Sequence, residues 1–138
     1  MSHDQTPDLT DEQLDLLNSC FDLARAGESE QLLQLVDACI PVNLTDHKGD
    51  SLLMLAAYNM HPELVTALLE RGADPNRTNQ RGQTALACAL FVQDTASVRT
   101  LLANGADPNT GWMNAWSIVD FFGLEEMRSL LPQRPVDL

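Results

Sequence analysis

The sequence predicts an all-α solenoid of about four stacked helix–turn–helix repeats joined by β-turn fingers. The first observation is a repeated phrase, since GADPN occurs at 72–76 and again 33 residues later at 105–109. The second is a set of further matches at the same interval, such as Gly49 with Gly82. The third is a composition that is 44% hydrophobic but only 5% aromatic, which suits closely packed helices rich in Leu and Ala. A fixed interval of this length is the signature of a stacked repeat array.

The first repeat is expected at about residues 13–45, after an N-terminal tail, residues 1–9, that we expect to be disordered. TDEQ at 10–13 has the spacing of a capping box, in which Thr and Gln side chains bond each other's backbone N–H groups, so it predicts the start of a helix. Cys39 and Ile40 replace the Gly-Ala of the later copies. The end of this repeat's second helix is therefore expected to be irregular.

The second and third repeats are expected at about residues 46–78 and 79–111. Ser51 and Thr84 each precede an apolar stretch, and both carry the short side-chain oxygen that caps a helix N-terminus. Pro62 suits the first position of a helix, where no N–H donor is needed. These residues predict two short helices in each repeat.

Glycines mark the ends of the second helices. Gly72 and Gly105 follow apolar stretches at the position where a left-handed C-terminal cap is expected. The Asp-Pro-Asn segments and NQRG at 79–82 then predict β-turn fingers. Each unit hides its apolar side only by stacking on its neighbours.

The fourth repeat is expected at about residues 112–131, followed by a C-terminal tail, residues 132–138. SIVDFFGLEEMRSLL at 117–131 keeps the helical pattern but is shorter than the central repeats. Ala115 stands where the earlier fingers have glycine, so this finger is expected to be blunter. Together the repeats form one domain, residues 10–131.

Two stretches carry a family resemblance. GDSLLMLAAYNMHPELVTALLERGADPN at 49–76 and GQTALACALFVQDTASVRTLLANGADPN at 82–109 resemble the ankyrin repeat pattern GxTPLHLAAxxGHxxVVxLLLxxGADVN over its whole length. The chain is also similar to short bacterial ankyrin repeat proteins. The resemblance implies a solenoid whose first helices and fingers line a concave surface, and it implies that a partner protein binds there.

The formal net charge of −12 is unevenly distributed. Residues 1–38 hold nine carboxylates against Arg25 alone, whereas residues 39–138 hold eleven against seven basic groups. An acidic surface repels phosphate groups, so neither nucleic acid nor a membrane is expected as a partner. Two interpretations stay open, namely a solvated surface that aids solubility and an electrostatic attachment site for a basic partner.

Export and membrane insertion are not expected. No apolar run reaches the ~18 residues of a membrane span, and MSHDQTPDLTDEQ lacks the basic start and apolar stretch of a signal peptide. Cys20, Cys39 and Cys88 form no CxxC pair and lie among apolar neighbours, which predicts buried or half-buried free thiols. The chain is therefore expected to be cytoplasmic.

Residues suited to catalysis or metal binding are few. His3 lies in the expected tail, His47 at a finger tip and His61 at a helix start, where a structural capping role is expected. None has a partner at metal-ligand spacing. Asp74 and Asp107 belong to the GADPN turns, where turn stabilisation is favoured over a paired-carboxylate site. We expect no catalytic residue, cofactor or metal.

The ankyrin resemblance implies where a partner binds. Tyr58, Phe91 and Trp116 are expected to place one aromatic ring per repeat on the concave surface, as anchors of the kind that protein interfaces use. The alternative is that these rings pack between repeats. The candidate binding residues are His47, Lys48, Asp50, Tyr58, Asn59, Gln80, Arg81, Gln83, Phe91, Met113, Asn114 and Trp116.

Three functions compete at this point. The first is a monomeric, non-catalytic protein–protein interaction module whose partner protein is of unknown identity. The second is an acidic inhibitor or immunity-type protein that blocks a basic enzyme or toxin, which strongly salt-dependent association would favour. The third is an enzyme, which is disfavoured because no constellation of catalytic residues was found.

Overall fold

The computed structural model describes residues 9–132, and within them eight helices form four consecutive pairs. The helices are α1 (Asp11–Ala26), α2 (Ser29–Ala38), α3 (Leu52–Tyr58), α4 (Pro62–Glu70), α5 (Ala85–Val92), α6 (Thr95–Ala103), α7 (Ala115–Phe122) and α8 (Glu125–Arg128). In this described part, β structure amounts to one isolated bridge between Thr45 and Ser51. The predicted all-α repeat solenoid is confirmed. Residues 1–8 and 133–138, with His3 and most of both predicted tails, lie outside the described residues.

Side-chain caps fix where the helices begin. At the start of α1, Thr10 Oγ1 accepts a hydrogen bond from the Gln13 N–H at 3.1 Å, and Gln13 Oε1 accepts one from the Thr10 N–H at 2.9 Å. This is the predicted capping box. Ser51 and Thr84 each accept a hydrogen bond from the backbone N–H three residues ahead, at 3.1 and 3.2 Å, so α3 and α5 start where the sequence predicted.

Left-handed backbone ends the helices at regular places. The first helix of every pair is followed closely by a residue with positive φ, and these residues are Gly27 (75°), Met60 (62°), Gln93 (60°) and Gly123 (65°). Gly72 and Gly105, after α4 and α6, have φ of 92° and 93°, as predicted. Positive φ is costly for any residue with a Cβ, so glycine is favoured at these positions.

The pairs stack in two layers. In the first layer, α3 packs between α1 and α5, and α5 also packs against α7. In the second layer, α4 packs against α2 and α6. Leu68 of α4 and Leu101 of α6 are completely buried between the layers. The short α8 covers the end of the stack through the buried Met127.

The repeated GADPN phrase ties successive pairs together. Asn43 Oδ1 accepts a hydrogen bond from the Asp74 N–H at 2.8 Å, and Asn76 Oδ1 accepts one from the Asp107 N–H at 2.7 Å. Asn76 Nδ2 also donates to the Gly105 carbonyl at 3.0 Å. The Asp74 carboxylate accepts from the Asn76 N–H at 2.9 Å. These aspartates therefore stabilise turns.

The three cysteines do not share one environment. Cys20 and Cys88 are buried, as predicted, whereas Cys39 is exposed. The prediction for Cys39 is wrong because this residue stands 33 positions before Gly72, at a helix end that is exposed in both repeats. Between residues 9 and 132, no helix has the length and apolar character needed to cross a membrane.

Candidate functional site: the inner groove

The second and third fingers, the loops before α3 and α5, are built by the same hydrogen bonds. Asp46 Oδ1 accepts from the backbone N–H groups two and four residues ahead, both at 2.9 Å. Asn79 Oδ1 does the same at 2.9 and 3.0 Å. Lys48 and Arg81 therefore occupy equivalent positions on neighbouring fingers, 33 residues apart.

Hydrogen bonds also hold neighbouring fingers together. Gln80 donates from its backbone N–H to the Lys48 carbonyl at 3.0 Å and from its side chain to the His47 carbonyl at 2.8 Å. On the next finger, the Met113 N–H donates to the Gly82 carbonyl at 3.1 Å. The Trp112 ring lies so close to Gly82 that a Cβ there would overlap it. The fingers therefore form one connected surface.

The fourth finger is three residues shorter than the third. The helix caps Ser51 and Thr84 are 33 residues apart, whereas Thr84 and Asn114 are 30 apart. Asn114 Oδ1 accepts from the Ser117 N–H at 2.9 Å and thereby starts α7. Trp116 is consequently equivalent to the buried Leu86, and it is only 8% exposed. The expectation that the Trp116 ring lies on the concave surface is wrong.

Four other aromatic rings form a continuous row, which we call the aromatic row: Tyr58, Phe91, Phe121 and Phe122. The Tyr58 and Phe91 rings are stacked with centroids 6.2 Å apart. Phe122 contacts Phe91 edge-on at 5.1 Å and Phe121 edge-on at 4.9 Å. All four are substantially exposed, from 41% for Phe91 to 80% for Phe121. The row spans three helix pairs.

Phe121 and Phe122 were missed because the fourth repeat was aligned at an interval of 33. Two signals in the sequence point to the shorter interval. Asn114 is a favoured capping residue directly before an apolar stretch. Gly123 follows two residues after Phe121, just as Gly27 follows two residues after Arg25, and both glycines are left-handed. Aligning caps and glycines places Phe121 in register with Phe91.

A groove of about 490 Å³ lies in front of the aromatic row and below the fingers. Its floor consists of Leu55, Cys88 and Ile118, which occupy equivalent positions on α3, α5 and α7. The groove with these walls is called the inner groove below. The predicted binding candidates that line it are Lys48, Asp50, Tyr58, Asn59, Arg81, Gln83, Phe91 and Met113.

The remaining four candidates do not line the inner groove. His47 and Gln80 join the second and third fingers through the hydrogen bond described above. Asn114 caps α7, and Trp116 is buried beneath it. Residues that line the groove but were not predicted are Arg25, Met54, Leu55, Cys88, Ile118, Phe121 and Phe122.

His61 holds Arg25 at one end of the groove. Its Nε2 lies 2.8 Å from the Arg25 carbonyl, and its ring lies against Gly27, where any Cβ would overlap it. No side-chain hydrogen bond from His61 caps α4. The expected capping role is therefore wrong in its detail. The residue is structural because it ties α1 to the start of α4.

Charged side chains are placed unequally around the groove. Arg25, Lys48 and Arg81 line it, against Asp50 as the one lining carboxylate. Arg25 is paired with Asp22 at 2.9 Å and lies 3.8 Å from Asp46. No ion-pair partner for Lys48 or Arg81 is found among residues 9–132.

The groove floor does not provide a nucleophile. Burial raises the pKa of the Cys88 thiol to about 12, the Asp50 charge adds to this rise, and the Arg81 charge opposes it. A thiol with such a pKa is almost entirely neutral near pH 7, and the thiolate is the reactive form. Over the described residues, no group of three or more His, Cys, Asp or Glu side chains is placed to hold a metal ion.

Comparison with known proteins agrees with the geometry. The sequence model of ankyrin repeats, in three copies, matches residues 21–111. The chain belongs to the ankyrin repeat family. It is similar to an ankyrin repeat protein of Pseudomonas aeruginosa, with 49% identity over 65 residues. That match covers 47% of this chain and 38% of the relative's length. Ankyrin repeats are generally protein–protein interaction modules, and the family is typically non-catalytic.

Proposed function

We propose that this ankyrin repeat protein is a non-catalytic binding module, and that a segment of a partner protein binds in the inner groove. The observation that carries the proposal is the aromatic row. Four of the seven aromatic side chains of the chain line one groove, and all four remain exposed. Exposed apolar patches of this kind mark interaction sites, and aromatic residues are enriched at the centres of interfaces.

The row is also well prepared for binding. Its rings contact one another at 4.9–6.2 Å, so they hold each other in place before a partner arrives. The helices beneath them are fixed by the buried layer described above. Binding then costs little side-chain entropy, which is one of the main costs of association. Residues 10–131 would act as a single binding unit, and we propose the cytoplasm as its location.

The test is capture of a partner from the native cell by three forms of the chain. Phe121→Ser removes the most exposed ring of the row, and Leu16→Ser changes a 40% exposed side chain that does not line the groove. We expect Phe121→Ser to weaken binding of the captured protein roughly thirty-fold, the size of an interface hot spot. Leu16→Ser should bind like the unmodified chain. Equal capture by all three folded forms would reject the groove as the binding site.

An acidic inhibitor is the second candidate, and one observation favours it. Between residues 11 and 37 there are seven carboxylates against Arg25, and none of the seven lines the inner groove. A basic enzyme would then bind the surface of α1 and α2 rather than the groove. The pair of changes Asp15→Asn and Glu30→Gln, both at exposed positions, separates the two candidates. Weakened partner binding supports the inhibitor, and unchanged binding supports the groove.

A further inference from the structure

The inner groove has the opposite charge from the rest of the chain. Three of the eight basic residues line it, including Lys48, the single lysine of the sequence, but only one of the twenty acidic residues does. The chain as a whole carries −12. The groove is therefore a cationic, aromatic region on an acidic protein.

We propose that the inner groove recognises an extended peptide segment in which a carboxylate side chain lies next to apolar side chains. The apolar side chains pack on the aromatic row, and the carboxylate binds at Lys48 and Arg81. The inference rests on the proposed binding function and adds to it the chemistry of the partner.

The two finger cations are available for such a ligand. Lys48 and Arg81 are exposed, lie at equivalent positions on adjacent fingers, and lack ion-pair partners within residues 9–132. The charge of Arg25 is by contrast already balanced by Asp22 and Asp46. An arginine guanidinium matches the geometry of a carboxylate, and a nearby lysine adds a mobile second donor. Because exposed ion pairs contribute modestly, these cations select and orient the ligand while the rings supply most of the affinity.

The single lining carboxylate is already engaged. Asp50 Oδ1 accepts a hydrogen bond from Asn79 Nδ2 at 2.7 Å, and the same amide donates to Gln83 Oε1 at 3.0 Å. Gln83, the equivalent of Asp50 on the next finger, is uncharged. A basic peptide would thus meet two unpaired cations and one carboxylate held by its own finger. The groove disfavours such a peptide.

A nucleic acid is a poorer match than a peptide. Single strands also bind to aromatic rings flanked by cations. A chain of phosphates, however, extends beyond the groove and meets the repulsion of a protein with net charge −12. Screening limits the reach of exposed charges to about 8 Å at physiological salt, so a single carboxylate responds chiefly to the cations beside it.

The spacing of the rings suits an extended peptide. Tyr58 and Phe91 have centroids 6.2 Å apart. Side chains at alternate positions of an extended strand point to the same side and are ~6.6–6.8 Å apart. Apolar residues at alternate positions therefore reach successive rings without a turn in the peptide.

The experiment is selection from a random twelve-residue peptide library displayed on phage. The baits are the unmodified chain, the charge-removed variant Lys48→Gln/Arg81→Gln, the ring variant Phe121→Ser, and a control. The control, Arg77→Gln/Arg99→Gln, makes the same change in net charge at exposed arginines that do not line the groove. Enriched peptides are then synthesised, and their Kd values are measured against all four proteins.

We expect the unmodified chain and the control to enrich peptides with Asp or Glu beside alternating apolar residues. On the charge-removed variant the acidic preference should disappear while the apolar preference remains, and the selected peptides should bind about tenfold more weakly. Groove-dependent peptides without acidic enrichment would overturn this inference and leave the proposed binding function standing. Peptides bound equally by Phe121→Ser, or no enrichment at all, would count against both.

Two further measurements test other occupants. Light scattering shows whether a second copy of the chain fills the groove, since a dimer that Phe121→Ser dissociates would replace the peptide proposal. A labelled twelve-nucleotide poly-dT that binds more tightly than the selected peptides would overturn it as well. We expect a monomer and negligible poly-dT binding.

Discussion

The third and fourth helix pairs solve the same packing problem with different residues. In α5, Leu86 is buried and Phe91 is exposed; in α7, Trp116 is buried and Phe121 is exposed. In both helices the two residues are five positions apart, which places them on different sides of the helix. The only offset is the fourth finger, which is three residues shorter. Two aromatic residues of one helix thereby have opposite environments.

This difference teaches that the capping residue, rather than the repeat interval, sets which side of a helix faces the core. Asn114 stops the finger early and starts α7 in phase with α3 and α5. The buried and exposed positions of α7 follow from that start, because side chains recur with the helical period. A strict 33-residue alignment moves every residue of α7 by three positions and exchanges core for surface.

The largest expected effect separates Trp116 from Phe121. Trp116→Ala leaves a cavity in a packed core and should lower the free energy of unfolding by ~3–5 kcal/mol, as large-to-small core substitutions do. Phe121→Ala, at a side chain that is 80% exposed, should cost under ~1 kcal/mol. Both values come from urea unfolding followed by circular dichroism. Similar losses for the two variants, or the reverse order, would show that α7 starts elsewhere.

Local chemistry made much of the fold predictable. The capping box at Thr10, the caps at Ser51 and Thr84, and the left-handed Gly72 each depend on a residue type whose conformational preference is strong. Fold class followed from the interval between such residues. Of the candidate site, the fingers and the first two rings were found because they keep the interval.

The errors come from places where the interval or the environment changes. Trp116 was assigned to the surface because the shortened finger was not placed correctly. Cys39 was assigned to the interior because apolar neighbours do not reveal that a helix end is exposed. The charge of the groove was missed for another reason, since Arg25 lies a whole repeat before Lys48 in the sequence and joins it only through the stacking of α1 on α3.

A smaller effect is expected where the first helices end. Gly27 and Gly123 are left-handed, as are Met60 and Gln93 at the equivalent positions. At Gly123 a Cβ would meet nothing within 4 Å, so Gly123→Ala tests the backbone alone and should destabilise by ~0.5–1 kcal/mol. Gln93→Gly should stabilise by a similar amount, because it relieves the same strain.

The first pair sharpens this comparison, because Gly27→Ala adds an overlap with the His61 ring to the same backbone strain. Its cost in thermal unfolding should exceed that of Gly123→Ala. An equal cost would mean that the His61 ring moves away freely, and a stabilising Gly123→Ala would contradict the left-handed assignment.

The smallest effect on stability, and the clearest readout, is expected from the cysteines. Burial raises the pKa of the Cys20 thiol, with a further rise from nearby Cys39, and burial raises that of Cys88 to about 12, whereas Cys39 is exposed. At pH 8 the folded chain should therefore react with a thiol reagent such as DTNB at one site quickly, and at three after unfolding in guanidinium. Cys39→Ser should remove the fast reaction and leave the unfolding midpoint nearly unchanged, since surface substitutions usually stay within ~0.5 kcal/mol. A fast reaction that persists in Cys39→Ser would place a reactive thiol in α1 or on the floor of the groove, and the groove would then contain a nucleophile.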